Sequence, residues 1–130
     1  MHRGGAVFAQ GTVGLSIDHC SFEALGGNGL FFSNFNRNAQ VTDCEFAYIG
    51  DSAVVQAGST KFARTQDKSG TDLMDGTDGD QPSGTIVDRC VMREVGLYGK
   101  QTSAFTSFLS WNTTIRGSFI FNGPRAGINW

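Results

Sequence analysis

A motif of the form apolar-x-x-Cys-x-apolar recurs along this chain, and its spacing constrains the fold more than any other feature. The first two copies lie 24 residues apart, and two later copies follow at longer spacings. Self-similarity at a period of roughly 20 to 50 residues is typical of repeat proteins, in which each unit packs only against its neighbours. The equivalent positions are Ile17, Cys20, Phe22, Leu25, Gly26 and Leu30; Val41, Cys44, Phe46, Ile49, Gly50 and Val54; Val87, Cys90, Met92, Val95 and Gly96; and, more weakly, Ile115, Ser118, Ile120, Gly127 and Ile128.

Each copy predicts short β-strands, because apolar residues alternate with polar ones. The three-residue step from Ile17 to Cys20 requires a bend at Asp18-His19 if both side chains point inward, and equivalent bends are expected in the other copies. Glycines mark a second corner, where a positive φ or a close approach of the chain is needed. Short strands joined by regularly spaced corners predict an all-β parallel β-helix, a solenoid of about four coils with equivalent side chains stacked in ladders.

The length and composition are those of a single domain. The chain has 130 residues, 39% of them hydrophobic, with eleven Phe for a core. No cap is recognisable at either end, so we expect an uncapped fragment of a longer helix that stacks on further coils of the same chain. Residues 1–130 are thus predicted to form one β-helix segment with a polar, acidic loop inserted at 58–84.

Charge and hydropathy exclude some classes of partner. The net charge of −2 and the scattered Lys and Arg residues give no basic stripe, so no nucleic-acid partner is expected. No stretch approaches the roughly 18 apolar residues of a membrane span, so none is predicted. The compartment is left open, with an extracellular location as one option.

The three cysteines occupy one repeat position, which Ser118 holds in the fourth copy. We expect Cys20, Cys44 and Cys90 to form an inward ladder of reduced, structural thiols. Strand neighbours are close enough for a disulfide, but parallel Cβ vectors disfavour its dihedral angle. A disulfide and a metal-binding or reactive thiol are the alternatives.

The insertion at 58–84 carries five of the acidic residues of the chain. A loop of this length is either functional or mobile, and it could fold over the neighbouring edge as a lid. The run Asp75-Gly-Thr-Asp78-Gly-Asp80 does not match the helix-loop-helix calcium pattern, so no cofactor is predicted, with calcium as the alternative. His19 is predicted to be an exposed corner residue, and no second His or Cys lies at a spacing that would support zinc.

Stacking brings polar residues of successive coils to one edge, and this edge is the candidate site. Asp51 would act as acid or base, while Lys100 and Arg125 would hold a carboxylate or stabilise developing negative charge. The alternative is a solvated rim in which Asp51 forms a simple salt bridge with Arg125 or Lys100. Substrate-binding roles are predicted for Asn28, Tyr98, Gln101 and Asn129.

The aromatic residues are expected to stack mainly in the core. Phe31 is the exception, since alternation turns it outward as a candidate binding residue. The 24-residue shift also aligns the opening strand with the first full copy, so that Phe8 should lie beside Phe32. The predicted core stacks comprise Phe8, Phe22, Phe32, Phe46 and Phe105.

The repeat resembles the right-handed parallel β-helix of the pectin-lyase-like superfamily, over all of the chain except 58–84. Coils of that superfamily commonly carry Asn where this chain has Cys20, Cys44 and Cys90. The resemblance implies a right-handed helix that binds or processes a polysaccharide or glycan, as a lyase, glycoside hydrolase or epimerase does. It equally allows a non-catalytic structural or adhesin-like shaft. The paired acids of the pectin hydrolases are not found here, so whether the chain is an enzyme is left open.

Overall fold

Strands make up all of the regular secondary structure in the computed structural model, which describes residues 3–59, 64–66, 73–75 and 79–130. Among these residues no helix is long and apolar enough to cross a membrane. In chain order the strands are β1 (Gly5–Val13), β2 (Ser16–Asp18), β3 (Ser21–Leu25), β4 (Asn28–Arg37), β5 (Gln40–Thr42), β6 (Glu45–Ile49), β7 (Val54–Ala57), β8 (Arg64–Gln66), β9 (Leu73–Asp75), β10 (Pro82–Ser83), β11 (Ile86–Asp88), β12 (Val91–Val95), β13 (Phe105–Phe108), β14 (Thr114–Arg116), β15 (Phe119–Phe121) and β16 (Ile128–Asn129).

Three parallel sheets form the body of the molecule. Sheet A has the order β1-β4-β7-β13-β16, with β10 beside β4; sheet B has β2-β5-β11-β14; and sheet C has β3-β6-β12-β15. Each of four successive repeats therefore gives one strand to each sheet: β2–β4, β5–β7, β11–β13 and β14–β16. The strands β8 and β9 form a separate antiparallel pair. This arrangement is compatible with a parallel β-helix solenoid.

The pairing register confirms that equivalent repeat positions lie beside one another. Ile17 pairs with Val41, and Val41 with Val87, in sheet B. Phe22 pairs with Phe46 in sheet C, where the two rings stack with centroids 4.8 Å apart and planes 5° from parallel. The predicted ladders therefore exist, although 46 residues separate the second copy from the third.

Left-handed backbone conformations produce the corners between sheets B and C. The φ angles are 49° at His19, 51° at Asp43, 52° at Arg89 and 58° at Gly117. A positive φ is uncommon outside glycine, so its recurrence at one position in four repeats marks a structural requirement. The bends that the three-residue step predicted are thus confirmed.

The second corner has both features that its glycines predicted, a positive φ of 67° at Gly96 and a close approach at Gly50, but other residues adopt a positive φ there as well. Its recurring positive φ falls on Ala24, Tyr48, Glu94 and Asn122, one residue before the last position of the sheet C strands in the first three repeats. Gly50 is required for a different reason, because a Cβ there would overlap the carbonyl group of Gly26. The close approach therefore explains this glycine.

The core lies between the three sheets. The cysteine ladder faces it, with Cys44 and Cys90 buried and Cys20 exposed beside them, and all three are free thiols. Each sulfur takes part in a repeated pattern: Cys44 Sγ donates to Thr42 O at 3.1 Å and accepts Cys20 N at 3.5 Å. Ser118 Oγ reproduces the pattern by donating to Arg116 O and accepting Cys90 N.

Two predictions about aromatic residues need correction. Phe8 pairs with Phe31, not Phe32, because β1 and β4 are offset by 23 residues before an irregularity restores an offset of 24. Phe8 therefore stacks on Phe31 outside the core and is half-exposed. Phe31 does face away from the core, but it is buried with Val55 and Ala57 in a separate cluster and so offers no open binding surface.

The end of the insertion joins the body of the protein. Pro82 and Ser83 form β10 and pair with Asn36 and Arg37 of β4. The Arg37 guanidinium donates to the carbonyl oxygens of Gly79 and Gln81. Asp80 accepts hydrogen bonds from Phe35 N and Ser59 Oγ. The predicted lid and the calcium alternative involve residues 60–63, 67–72 and 76–78, which lie outside the described part of the chain.

Candidate functional site

A cleft of about 240 Å³ opens at the corner between sheets C and A. All four repeats contribute to it, because in-register stacking aligns their turns. Four of the seven predicted site residues line it. Its lining consists of Asn28 from the first repeat; Asp51 and Ser52 from the second; Gly99, Gln101, Thr102, Thr106 and Phe108 from the third; and Asn129 from the fourth.

Backbone hydrogen bonds between stacked turns hold the cleft in shape. Asp51 N donates to Gly27 O in the repeat before it, and Asp51 O accepts Gly96 N from the repeat after it. Gly99 N donates a hydrogen bond to Gly50 O, in the repeat before it, at 2.9 Å. The turn that carries Asp51 is therefore fixed from both sides, which favours a preformed site.

Buried polar groups form the floor of the cleft. Asn28 Nδ2 donates to Gly4 O at 2.8 Å, and Asn28 Oδ1 accepts Ser52 N at 3.1 Å. Ser52 Oγ lies 2.9 Å from Thr106 Oγ1 and also contacts Thr102 Oγ1. Since Asn28 is bonded to the backbone on both sides, the structure gives it a positioning role toward Ser52.

Among the described residues that line the cleft, Asp51 is the one that is ionisable. Its side chain is half-buried. No basic nitrogen of a described residue lies within 4.0 Å of its carboxylate oxygens, the distance of an ion pair. The carboxylate rests against Gly99, where an added Cβ would overlap Oδ1. Within the described part of the chain, the salt bridges of Asp51 with Lys100 and Arg125 that the rim interpretation proposed are not formed.

The other three predicted site residues lie outside the cleft lining. Lys100 Nζ donates to Gly96 O at 3.1 Å, within its own turn. Arg125 Nη1 donates to Gln101 Oε1 at 2.6 Å, so it reaches the cleft only through that amide. The Tyr98 side chain is 76% exposed. The structure thus does not bring Lys100 and Arg125 onto Asp51, and their catalytic roles stay predictions.

Sequence reasoning missed two lining residues on the outer face of sheet A. Thr106 pairs with Val55 and Asn129, and Phe108 lies two residues further along β13 with its ring half-exposed. Alternation from the buried Phe105 turns both outward, so the period-two pattern contained the signal. Phe108 gives the cleft an aromatic surface.

A second polar cluster lies at the corner between sheets B and C. One potential metal-ligand atom from each of Asp18, His19 and Asp43 lies within 4.8 Å of the other two. Two carboxylates and an imidazole are ligands that a divalent cation accepts. However, the Asp43 carboxylate already accepts hydrogen bonds from Arg89 Nε at 2.8 Å and Arg89 Nη2 at 2.6 Å. A metal ion would have to displace that arginine.

The charges of this corner cluster stabilise one another. A hydrogen bond from Thr42 lowers the pKa of Asp18, and the hydrogen bond to Asp18 raises the pKa of His19. Arg89 lowers the pKa of Asp43 through its hydrogen bonds. His19 is exposed at the corner, as predicted. The shifts are those of a surface ion-pair network, which contributes little stability per pair.

Comparison with known proteins gives no relative. No protein-family model matches the chain, and neither the curated proteins nor the solved structures contain a match. The interpretation of the cleft therefore rests on its own geometry.

Proposed function

We propose that this chain is a glycan-binding segment of a β-helix protein and that the cleft around Asp51 is its binding site. The supporting observation is the convergence of four repeats on one cleft, whose lining combines carboxylate, amide and hydroxyl groups with an aromatic ring. Its volume is below the roughly 300–1,000 Å³ of most small-molecule pockets, which suits one part of a longer chain-like ligand. Carboxylate, amide and hydroxyl groups are the partners that sugar hydroxyls need, and the Phe108 ring offers a surface for the apolar face of a sugar.

For the architecture, we propose a right-handed helix of about four coils, similar to the pectin-lyase-like superfamily. Three parallel sheets with in-register strands support this assignment. Strand-crossover-strand connections in parallel sheets are almost always right-handed, which favours the same hand here. The recurring corners at His19, Asp43 and Arg89 fit coils of constant shape.

Binding is favoured over hydrolysis because the described residues of the cleft lining include a single carboxylate. Glycoside hydrolases of the common type place two carboxyl groups across the scissile bond, one as acid and one as base or nucleophile. In the described residues, neither Lys100 nor Arg125 lies within ion-pair distance of Asp51 to complete a lyase-like site. Turnover would require groups beyond this cleft.

Binding of neutral oligosaccharides to Asp51→Asn tests the carboxylate. Removing a charge-assisted hydrogen bond costs about 1.5–3 kcal/mol, so we expect affinity to fall at least about tenfold. Glu23→Gln removes the same charge from the exposed outer face of sheet C and should bind like the unmodified protein. Circular dichroism establishes that both variants are folded.

Phe108→Ala tests the aromatic surface. Loss of one stacking contact of about 0.5–1.5 kcal/mol predicts roughly two- to tenfold weaker binding. Phe119→Ala is the matched control, because Phe119 is 70% exposed on sheet C, away from the cleft lining. If no oligosaccharide binds the unmodified protein, or if the cleft variants bind normally, the cleft is only a polar rim and the chain is a structural shaft.

A further inference from the structure

We propose that the cleft selects uncharged glycans over glycans that carry carboxylates. This inference rests on the proposed glycan-binding function and specifies the class of ligand. It departs from the expectation that Lys100 and Arg125 hold an acidic sugar. Three observations carry it: the charge of the lining, the partners of the nearby cations, and the hydrogen-bonding character of the groups that face the ligand.

The lining carries a net negative charge. Among the nine lining residues that the structure describes, only Asp51 is ionisable, and the other eight are neutral. The carboxylate is half-buried and, within the described residues, has no basic partner within ion-pair distance. A ligand carboxylate that approaches Asp51 therefore meets a like charge that has no described cation at ion-pair distance.

Neither of the two nearby cations donates a hydrogen bond to the Asp51 carboxylate. Lys100 Nζ donates to the carbonyl oxygen of Gly96, and Arg125 Nη1 donates to Gln101 Oε1. Both side chains are exposed and neither lines the cleft. Because neither cation lines the cleft, an anionic sugar there would contact one only after its side chain moved, whereas a neutral sugar requires no such movement.

The hydrogen-bonding groups also favour hydroxyls. Asp51 only accepts hydrogen bonds when ionised, and a sugar hydroxyl can donate to it while a ligand carboxylate cannot. On the floor, Thr106 Oγ1 donates to Ser103 O and accepts from Ser52 Oγ, so neither hydroxyl proton is free for an anion. Gln101 and Asn129 at the rim provide amides, which suit hydroxyl groups that donate and accept together.

The test compares oligosaccharides that differ only in charge. Tetrasaccharides of β-1,4-linked glucose, mannose and galactose are each paired with a form in which the C6 alcohols are oxidised to carboxylates. Calorimetric titration with the whole chain at 20 mM and 500 mM NaCl gives the affinity ratio within each pair. Like charges about 4 Å apart in water repel enough for a preference of about fivefold. The preference should shrink at high salt, because counter-ions screen exposed charges.

Two variants assign the preference to its source. Asp51→Asn should bring the ratio within each pair close to one, while Glu23→Gln should leave the ratio unchanged. An oxidised tetrasaccharide that binds as tightly as its neutral partner at 20 mM NaCl would overturn the inference and leave the proposed glycan binding intact. Absence of binding by every tetrasaccharide would overturn the proposed function, and the inference with it.

Discussion

Gly99 lies against the Asp51 carboxylate in the cleft lining, so the size of the residue at position 99 determines where that carboxylate can lie. A Cβ at Gly99 would overlap the Asp51 carboxylate. The φ of Gly99 is not in the left-handed region, so alanine meets no backbone strain there. The effect of a substitution should therefore fall on the carboxylate and not on the fold.

We expect Gly99→Ala to weaken oligosaccharide binding by roughly tenfold, as loss of the Asp51 hydrogen bond would, with little change in thermal stability. Gly26→Ala is the matched control, because no heavy atom lies within 4 Å of the Cβ it adds. Titration calorimetry and thermal unfolding of both variants check the expectation. Normal binding by Gly99→Ala would show that the position of Asp51 does not matter.

The Cys44 thiol couples stability to alkaline pH. Burial raises its pKa from 9.0 to about 11 in the folded protein. The folded state thus favours the protonated thiol, so its contribution to stability is complete below pH 9 and is lost as the pH rises from 9 through 11. Between pH 8 and 10.5 the loss should be about 1–2 kcal/mol.

Cys44→Ser should reduce that alkaline loss, because a hydroxyl does not ionise in this range. Ser118 already fills the equivalent position and keeps the hydrogen bonds of the ladder. Urea denaturation at both pH values, with a reducing agent present, measures the free energy of unfolding. Cys20→Ser changes the exposed ladder position, so its free energy of unfolding should fall between the two pH values by as much as that of the unmodified protein. Equal losses in all three proteins would refute this account of the Cys44 thiol.

At the scale of the strand, sheet C is held by the stack of Phe22 on Phe46. Phe46 is fully buried, so Phe46→Ala should cost about 3–5 kcal/mol of unfolding free energy, a large part of the stability of a domain. Phe119→Ala, on the exposed face, should cost less than about 1 kcal/mol. Chemical denaturation compares the two, and a Phe46→Ala variant within 1 kcal/mol of the unmodified protein would contradict the stacked core.

The sequence predicted this level of structure well where the repeat is regular. The bends at His19, Asp43 and Arg89 follow from the step of three residues between inward positions. The predicted pairing of β1 with β4 was wrong by one residue over residues 5–10. The irregularity that changes the offset between these strands cannot be recognised from the residue types. Alternation correctly predicted that Phe31 faces away from the core. It did not predict that Phe31 is buried, because alternation does not show which residues pack on the outer face.

At the scale of the whole molecule, the cleft exists because residues far apart in sequence lie one strand apart in space. Stacking predicted that Asn28, Asp51, Gln101 and Asn129 share an edge, and all four line the cleft. The partners of Lys100 and Arg125 were not predictable, because long side chains choose among many rotamers. Phe108 was missed although alternation from Phe105 turns it outward, because its position beside the cleft follows from strand pairing and not from the local pattern.

In-register stacking is the central claim, and paired spin labels at Ser16 and Gln40 test it most directly. These exposed residues pair across β2 and β5, about 4.8 Å apart at Cα, in a Cys20→Ser background where the other cysteines are buried. Labels at Ser16 and Thr114, three strands apart, are the control. The account predicts strong dipolar broadening of the electron paramagnetic resonance spectrum for Ser16/Gln40 and weaker broadening for Ser16/Thr114. A Ser16/Gln40 spectrum equal to the sum of the singly labelled spectra, in folded protein, would contradict it.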